Sequence, residues 1–247
     1  MTSLYCLFII LLQSVIFFYL LELPLSLWNV HPAVAGVGAV LFLFAQIKFS
    51  YPVFGMFFQV RLEEESEEDA DARRKKEDDI GSFLNLNGVK CDTILFRDSH
   101  PVILSFGSLW GEKALVVSTG LLDMVEQSEL EILLKREAYL LKRGDMGFFS
   151  AASFLPFVIL GASFWMTDAA KESRIKKGSG ASFLAGGILF YVYRVAAFFL
   201  MPLSKKRQRA ADESVAPDAK TGEDLRNIIE KTGSAFCLPV KSGPPFR

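Results

Sequence analysis

The chain has 247 residues, 51% of them hydrophobic and 13% aromatic, with 23 phenylalanines and a mean hydropathy of +0.30. Soluble domains carry about 45–50% apolar residues, so the composition points to membrane segments. A formal net charge of −1 leaves no general basic footprint for nucleic acid. The three cysteines, Cys6, Cys91 and Cys237, are too scattered for metal or disulfide spacing and read as unpaired thiols in a reducing compartment.

Residues 4–23 form an apolar run interrupted chiefly by Gln13, Ser14 and Glu22. It suffices for one crossing at about 1.5 Å per residue. A cleaved signal peptide needs a charged leader, a shorter apolar core and a small-residue cleavage site, and none precedes Pro24. The run therefore reads as an anchor. Residues 33–60 are a second block, interrupted by Lys48 and Pro52. Lys48 either snorkels to an interface or marks a helix continuing along the membrane surface.

The connection 24–32 has no Lys or Arg, which assigns it to the outer side. Arg61 and Arg73-Arg74-Lys75-Lys76 then face the cytoplasm. Seven acids lie between Glu63 and Asp71, ahead of those four bases. Asp69–Arg73 and Asp71–Lys75 have the acid-first i,i+4 order of an exposed helix. A solvated linker or membrane-proximal helix is the plain reading, and a docking surface the sharper one.

Asn87-Gly88 marks a turn before a strand within residues 89–96. Residues 101–106 read as a second strand and 114–118 as a third, with Gly107 and Gly111 between them. A helix follows, with Ser128-Glu129-Leu130-Glu131 as a capping-box start. Leu130, Leu133, Leu134, Ala138 and Leu141 recur at helical spacing as a buried stripe. Gly144 is the expected helix stop, after Lys142 and Arg143.

Residues 148–166 form a third apolar block with Pro156 inside, an expected kink. Residues 181–203 form a fourth, holding Arg194, an ionisable group at membrane depth. That arginine is either a functional group or a snorkelling, carbonyl-paired residue near Tyr191 and Tyr193. Lys205-Lys206-Arg207-Gln208-Arg209 belongs to the cytoplasmic side. The connection 167–180 carries Lys171, Arg174, Lys176 and Lys177, against the outward placement that full crossings require. The last 44 residues are polar, broken by Pro217, Pro239, Pro244 and Pro245. A short helix is expected over 224–231 and disorder beyond.

Several short motifs recur in a telling order. They are Ala114-Leu115-Val116-Val117-Ser118-Thr119-Gly120-Leu121-Leu122, then Glu129-Leu130-Glu131, Glu137, Gly144-Asp145, and finally Arg207 and Ala211-Asp212. In this order, set between apolar hairpins, they resemble the integral-membrane zinc metallopeptidases of the HtpX heat-shock type, cousins of the CAAX prenyl proteases. The likeness covers roughly residues 4–216. It implies a membrane hairpin, a cytoplasmic zincin domain and a second hairpin before the third zinc ligand.

The resemblance also implies H-E-x-x-H at 136–140, where two histidines one turn apart would offer lone pairs to zinc and the glutamate would take a proton from bound water. Here Arg136 stands at the first ligand position, Leu140 at the second and Gln208 at the third. Glu137 alone keeps its family identity. A guanidinium has donors only, a leucine has no lone pair, and an amide oxygen is a poor zinc ligand beside a carboxylate. The expected site is thus degenerate (Arg136, Glu137, Leu140, Gln208, Asp212), with no catalytic residue, metal or cofactor. Arg136 is expected to fill the metal's place and to pair with Asp212, which in the family orients a ligand histidine, or with Glu137. His31 and His100, the chain's two histidines, read as ordinary membrane-edge and turn residues.

The sequence therefore predicts an α-helical membrane protein with an α+β zincin-like cytoplasmic domain. About four transmembrane helices accompany a small sheet packed on the degenerate active-site helix. The expected organisation is a hairpin over 1–61, a metallopeptidase-like domain with a charged linker over 62–147, a second hairpin over 148–203, and a basic helix and tail over 204–247. The expected function is that of a pseudopeptidase in the prokaryotic plasma membrane, its polar domain and C-terminus cytoplasmic. Expected partners are the lipid bilayer and other membrane proteins or an active paralogue, with no nucleic acid, in an oligomer or larger complex. The resemblance places substrate along an edge strand, here Val102, Ile103, Leu104, Ser105 and Phe106, able to hold a peptide through its backbone. Two alternatives stay open. One is an active protease using Ser118, Thr119 or Cys91 as nucleophile, and the other a four-helix scaffold or transport component.

Overall fold

The computed structural model describes residues 2–59, 67–174, 180–216 and 219–232. Its elements are α1 (Thr2–Leu27), α2 (Pro32–Gln59), α3 (Glu67–Leu86), β1 (Asp92–Phe96), β2 (Ile103–Gly107), β3 (Lys113–Ser118), α4 (Thr119–Met124), α5 (Gln127–Lys142), α6 (Met146–Arg174), α7 (Gly180–Val215) and α8 (Ala219–Lys231). The chain divides into two compact units. One comprises Met1–Ser50 and Phe148–Ser204, the other Tyr51–Gly147 and Lys205–Arg247.

The first unit holds long apolar helices. Among the described residues, four stretches are long and apolar enough to cross a membrane: Thr2–Leu27, Pro32–Met56, Met146–Thr167 and Leu184–Val215. α1 runs through Pro24, where the sequence led us to expect its end. A proline inside an apolar helix frees the carbonyl four residues back, here that of Leu20, and is tolerated where neighbouring groups adjust; near the helix end Ser26 Oγ donates to the Leu23 carbonyl at 2.8 Å. The helix closes instead at Asn29, whose φ is 54°. Asn29 N–H donates to Ser26 O and Val30 N–H to Leu25 O, the paired bonds of a Schellman ending, for which asparagine is one of the few suitable residues.

The interior of this unit is partly polar. Cys6, Ile9 and Ile10 pack with Ala151, Ala152, Leu200 and Leu203. Beside them, Gln13 Nε2 donates to the Ala152 carbonyl at 3.0 Å and Gln46 Nε2 donates to Gln13 Oε1 at 2.7 Å. α6 and α7 approach closely at Gly186. Its carbonyl accepts from Ser163 Oγ at 2.7 Å, and a Cβ there would lie 2.7 Å from Thr167 Oγ1.

Two expected boundaries in this region are corrected. α6 continues to Arg174, through most of what the sequence suggested was a connection; Lys176 and Lys177 lie outside the described residues. α7 continues to Val215 through Pro202, so the expected basic segment after residue 203 extends the same helix.

The second unit holds the sheet, ordered β1-β3-β2. β1 runs parallel to β3 with Ile94 opposite Val116, and β2 antiparallel with Leu104 opposite Val116. The Asn87-Gly88 turn forms as expected, with Gly88 at a φ of 74°. Helices α3, α5 and α8 bring Leu84, Leu133, Leu141 and Ile228 onto Leu115 and Val117 in one core.

Ion pairs hold α3 among its described side chains, and the expected Asp69–Arg73 pair rests on a side chain outside them. Arg73 meets Glu77 at 2.8 Å and Arg74 meets Asp71 at 3.6 Å. Glu77 also accepts from Leu95 N–H at 2.9 Å, which fastens the helix to β1. The acids at 63–65 lie outside the described residues, and the side chains of Glu67, Glu68 and Asp69 are likewise not described. The Pro217 position and the segment 233–247, with Cys237, also lie outside them.

Candidate functional site

α5 starts two residues earlier than Ser128 would place it. Its N-cap is Glu126, whose N–H donates to Glu129 Oε2 at 2.8 Å. Glu129 thereby closes the first turn, and Lys231 of α8 meets the same oxygen at 2.8 Å. Those contacts hold the Glu129 carboxyl below its ordinary range, the hydrogen bond from Lys231 contributing most. At the other end the cap is Arg143, in extended conformation (φ −67°, ψ 132°). Gly144 is not among the positive-φ glycines, so the left-handed stop expected there is absent. Asp145 instead takes up the local charge, meeting Arg143 Nη2 at 2.9 Å.

The leucine and alanine stripe of α5 lies in the core, and the buried arc is wider than that stripe. Arg136 is 2% exposed and Glu137 3% exposed. Two neighbouring ionisable residues so deeply enclosed require partners, and the surrounding elements supply them. Arg136 Nε donates to Asp212 Oδ1 at 2.6 Å and Arg136 Nη1 to Glu137 Oε1 at 3.1 Å. Ser105 of β2 donates its hydroxyl to Glu137 Oε2 at 2.8 Å. Burial pushes the Glu137 carboxyl above its ordinary range, opposed by Arg136, the Ser105 hydrogen bond and Arg207.

The other sequence candidates divide. Leu140 is buried among the apolar side chains of the core. Gln208, half-buried on α7, lies one helical turn before Asp212. Arg207 is 4% exposed and directs Nη2 to Met146 Sδ at 3.1 Å, with Asp145 Oδ1 at 3.7 Å. The sequence placed Ser105 in the edge strand and Asp145 and Arg207 among the recurring motifs, but assigned none of them to the buried charges around Arg136. Strand alternation does place Ser105 on the same face as Ile103, which was the one available signal for it. Among the described residues, no three His, Cys, Asp or Glu side chains gather as a metal-holding group.

Among the described residues β2 borders only β3 and is an edge strand of the sheet. Val102 lies just before it and is joined to Ser118 twice. Its N–H donates to Ser118 Oγ at 2.8 Å and its carbonyl accepts from Ser118 N–H at 2.9 Å. In the alternating antiparallel pattern, Leu104 and Phe106 then bond to β3, while the backbone groups of Ile103 and Ser105 point to the free edge. Phe106 packs on Tyr51 and Phe54, ring centroids 5.5 Å apart in each pair.

The alternative nucleophiles are engaged elsewhere. Ser118 caps α4, accepting from Leu121 N–H and donating to the His100 carbonyl. Thr119 Oγ1 donates to the Asp98 carbonyl at 3.3 Å. The Cys91 thiol is pushed up to about 11, mainly by burial and then by Asp92, so little thiolate exists near neutrality. The His100 ring lies 3.0 Å from Asp98, and the His31 ring accepts from Ala33 N–H at 3.2 Å.

Known proteins supply a second line of evidence. A protein named Protease HtpX homolog 2 from Methanosarcina mazei is 26% identical over 176 residues, covering 62% of this chain and 59% of its own length. A namesake from Methanosarcina acetivorans is 28% identical over 168 residues, 59% of this chain and 56% of its own. The chain thus spans under three-fifths of the length of these curated relatives. No protein-family model matches it, and no solved structure does. The chain is accordingly related in sequence to the HtpX-like proteins over about three-fifths of its length.

Proposed function

We propose that this protein is a membrane-embedded metallopeptidase homologue that has exchanged its metal for an internal ion-pair cluster. It would serve as a protein-binding, regulatory or structural subunit of a membrane assembly. The observation that carries this reading is Arg136, enclosed between Glu137 and Asp212. Zinc needs several lone-pair donors converging on one point. Here a guanidinium, which only donates, faces both carboxylates, and Leu140 adds hydrocarbon. These residues do not fit the ion, so no metal-activated water is available for Glu137 to deprotonate.

On this reading the zincin-like domain keeps its architecture and puts it to binding. The free edge of β2, with the backbone of Ile103 and Ser105, would accept an extended segment of a client or of an active relative by strand addition. The basic residues at 73–76 and 205–209 support a cytoplasmic side for this domain and the C-terminus.

The test is metal analysis of purified protein beside the triple variant Arg136→His, Leu140→His, Gln208→Glu. The wild-type chain is expected to carry no stoichiometric zinc, and the variant to bind about one ion per chain. One zinc per wild-type chain, with chelator-sensitive cleavage of a denatured protein substrate, would overturn the reading.

A further inference from the structure

We infer that α7 carries, near the middle of the bilayer, a docking site for a transmembrane helix of another protein bearing an aspartate or glutamate, with Arg194 as its counter-charge. The inference is independent of whether the Arg136 site binds metal.

The argument begins with the faces of α7. Tyr193, Ala197 and Leu200 turn into the first unit and are buried. Leu184, Ile188, Tyr191, Val195 and Phe198 are all exposed, and their spacing of four and three residues makes them one outward stripe. Arg194, also exposed, flanks that stripe one turn from both Tyr191 and Phe198. Among the described residues it makes no hydrogen bond or ion pair.

Depth then decides between a private solution and a partner. Arg194 follows Leu184 by ten residues and precedes Lys205 by eleven, so it lies about 15 Å from either end of the apolar stretch. Its side chain is six bonds long, at most about 1.5 Å each, and falls short of both interfaces. Snorkelling serves arginines near helix ends. A cation at the centre is found paired, facing other protein or water.

Charge complementarity fixes the occupant as a carboxylate. Among its described residues this chain offers none at that depth. The apolar parts of the four spans contain one acid, Glu22, about 11 Å from the mid-length of α1. A second copy therefore has no carboxylate opposite Arg194, and a different protein is required.

The experiment uses the full chain in phosphatidylcholine vesicles with synthetic transmembrane peptides identical except for a central Glu, Leu or Lys. Association is read by energy transfer. The Glu peptide is expected to bind about tenfold more tightly than the Leu peptide, the scale of a polar contact between membrane helices. Arg194→Leu should abolish that preference, Arg194→Lys should keep most of it, and Arg194→Glu should transfer it to the Lys peptide. Equal binding of the Glu and Leu peptides overturns the inference. So does peptide-free self-association that Arg194→Leu abolishes, which assigns the site to a second copy. Loss of the preference when phosphatidylglycerol is added also overturns it, in favour of a lipid headgroup. Should Arg194→Leu misfold, the Lys and Glu variants decide on the same readings.

Discussion

Arg136 and Asp212 stand 76 positions apart in sequence and meet at 2.6 Å. A helix otherwise anchored by leucines is thereby joined through a buried cation to a carboxylate on α7. Removing one partner of such a pair strands the other charge, at a cost of about 3–5 kcal/mol. Arg136→Ala should lower stability by that order, while Arg74→Ala, on an exposed pair, should change it by under about 0.5 kcal/mol. Thermal unfolding of the two purified variants makes the comparison, and equal midpoints would refute the buried role.

Glu137 gives a pH prediction with a definite sign. Its folded-state pKa is raised by burial, so the folded state holds this proton more tightly than the unfolded chain. The associated stability is full below the ordinary value of 4.5 and is lost as pH rises through the raised value. Glu137→Gln removes the titration and still accepts from Ser105. Relative to the variant, the wild-type chain should lose stability on going from pH 4 to pH 8. Urea midpoints across that range check the sign.

Glu129 has the opposite dependence. Its carboxyl is lowered by Lys231 and by the Glu126 N–H. The stability it adds is present above the ordinary 4.5 and disappears as pH falls through the lowered value. The pair is partly exposed, so screening limits Lys231→Met to roughly 0.5 kcal/mol. Hydrogen exchange should nevertheless quicken in α8 ahead of the sheet. Unchanged exchange there would show that the contact does not hold the helix.

Within the apolar unit, Gln46 is fully buried and donates to Gln13, which in turn donates to the Ala152 carbonyl. Gln46→Leu should destabilise the helical bundle by about 0.6–1.7 kcal/mol, between the mean and the maximum measured for such bonds between membrane helices. Unfolding in mixed micelles would resolve the effect. A stabilised variant would show that lipid-like packing outweighs the amide bond.

The sequence exposed the parts whose signal is local. Apolar runs located the four long helices, β-branched runs with glycine breaks located the strands, and the leucine spacing of α5 located its buried side. It failed where a distant group decides the outcome. Ser128 looked like a cap because serine is a common one, but Glu129, held also by Lys231, sets the start at Glu126. Pro24 and Gly144 suggested helix ends from local preference, while the Asn29 turn and the Asp145 charges fixed them elsewhere. Ser105, Asp145 and Arg207 gain meaning only once β2, the end of α5 and α7 are brought together. No periodicity within any one of those segments records that meeting.

The late arrival of Asp212 also matters for biogenesis. Ribosomes add about 5–20 residues per second, so Arg136 leaves the decoding centre roughly 4–15 s before its remote carboxylate is made. Two lipid-spanning stretches are translated in that interval. Until then the guanidinium lacks the Asp212 carboxylate and meets Glu137 within its own helix. A nascent chain stalled in those stretches would expose this defect to membrane proteases, so quality control could discriminate finished molecules from abortive ones.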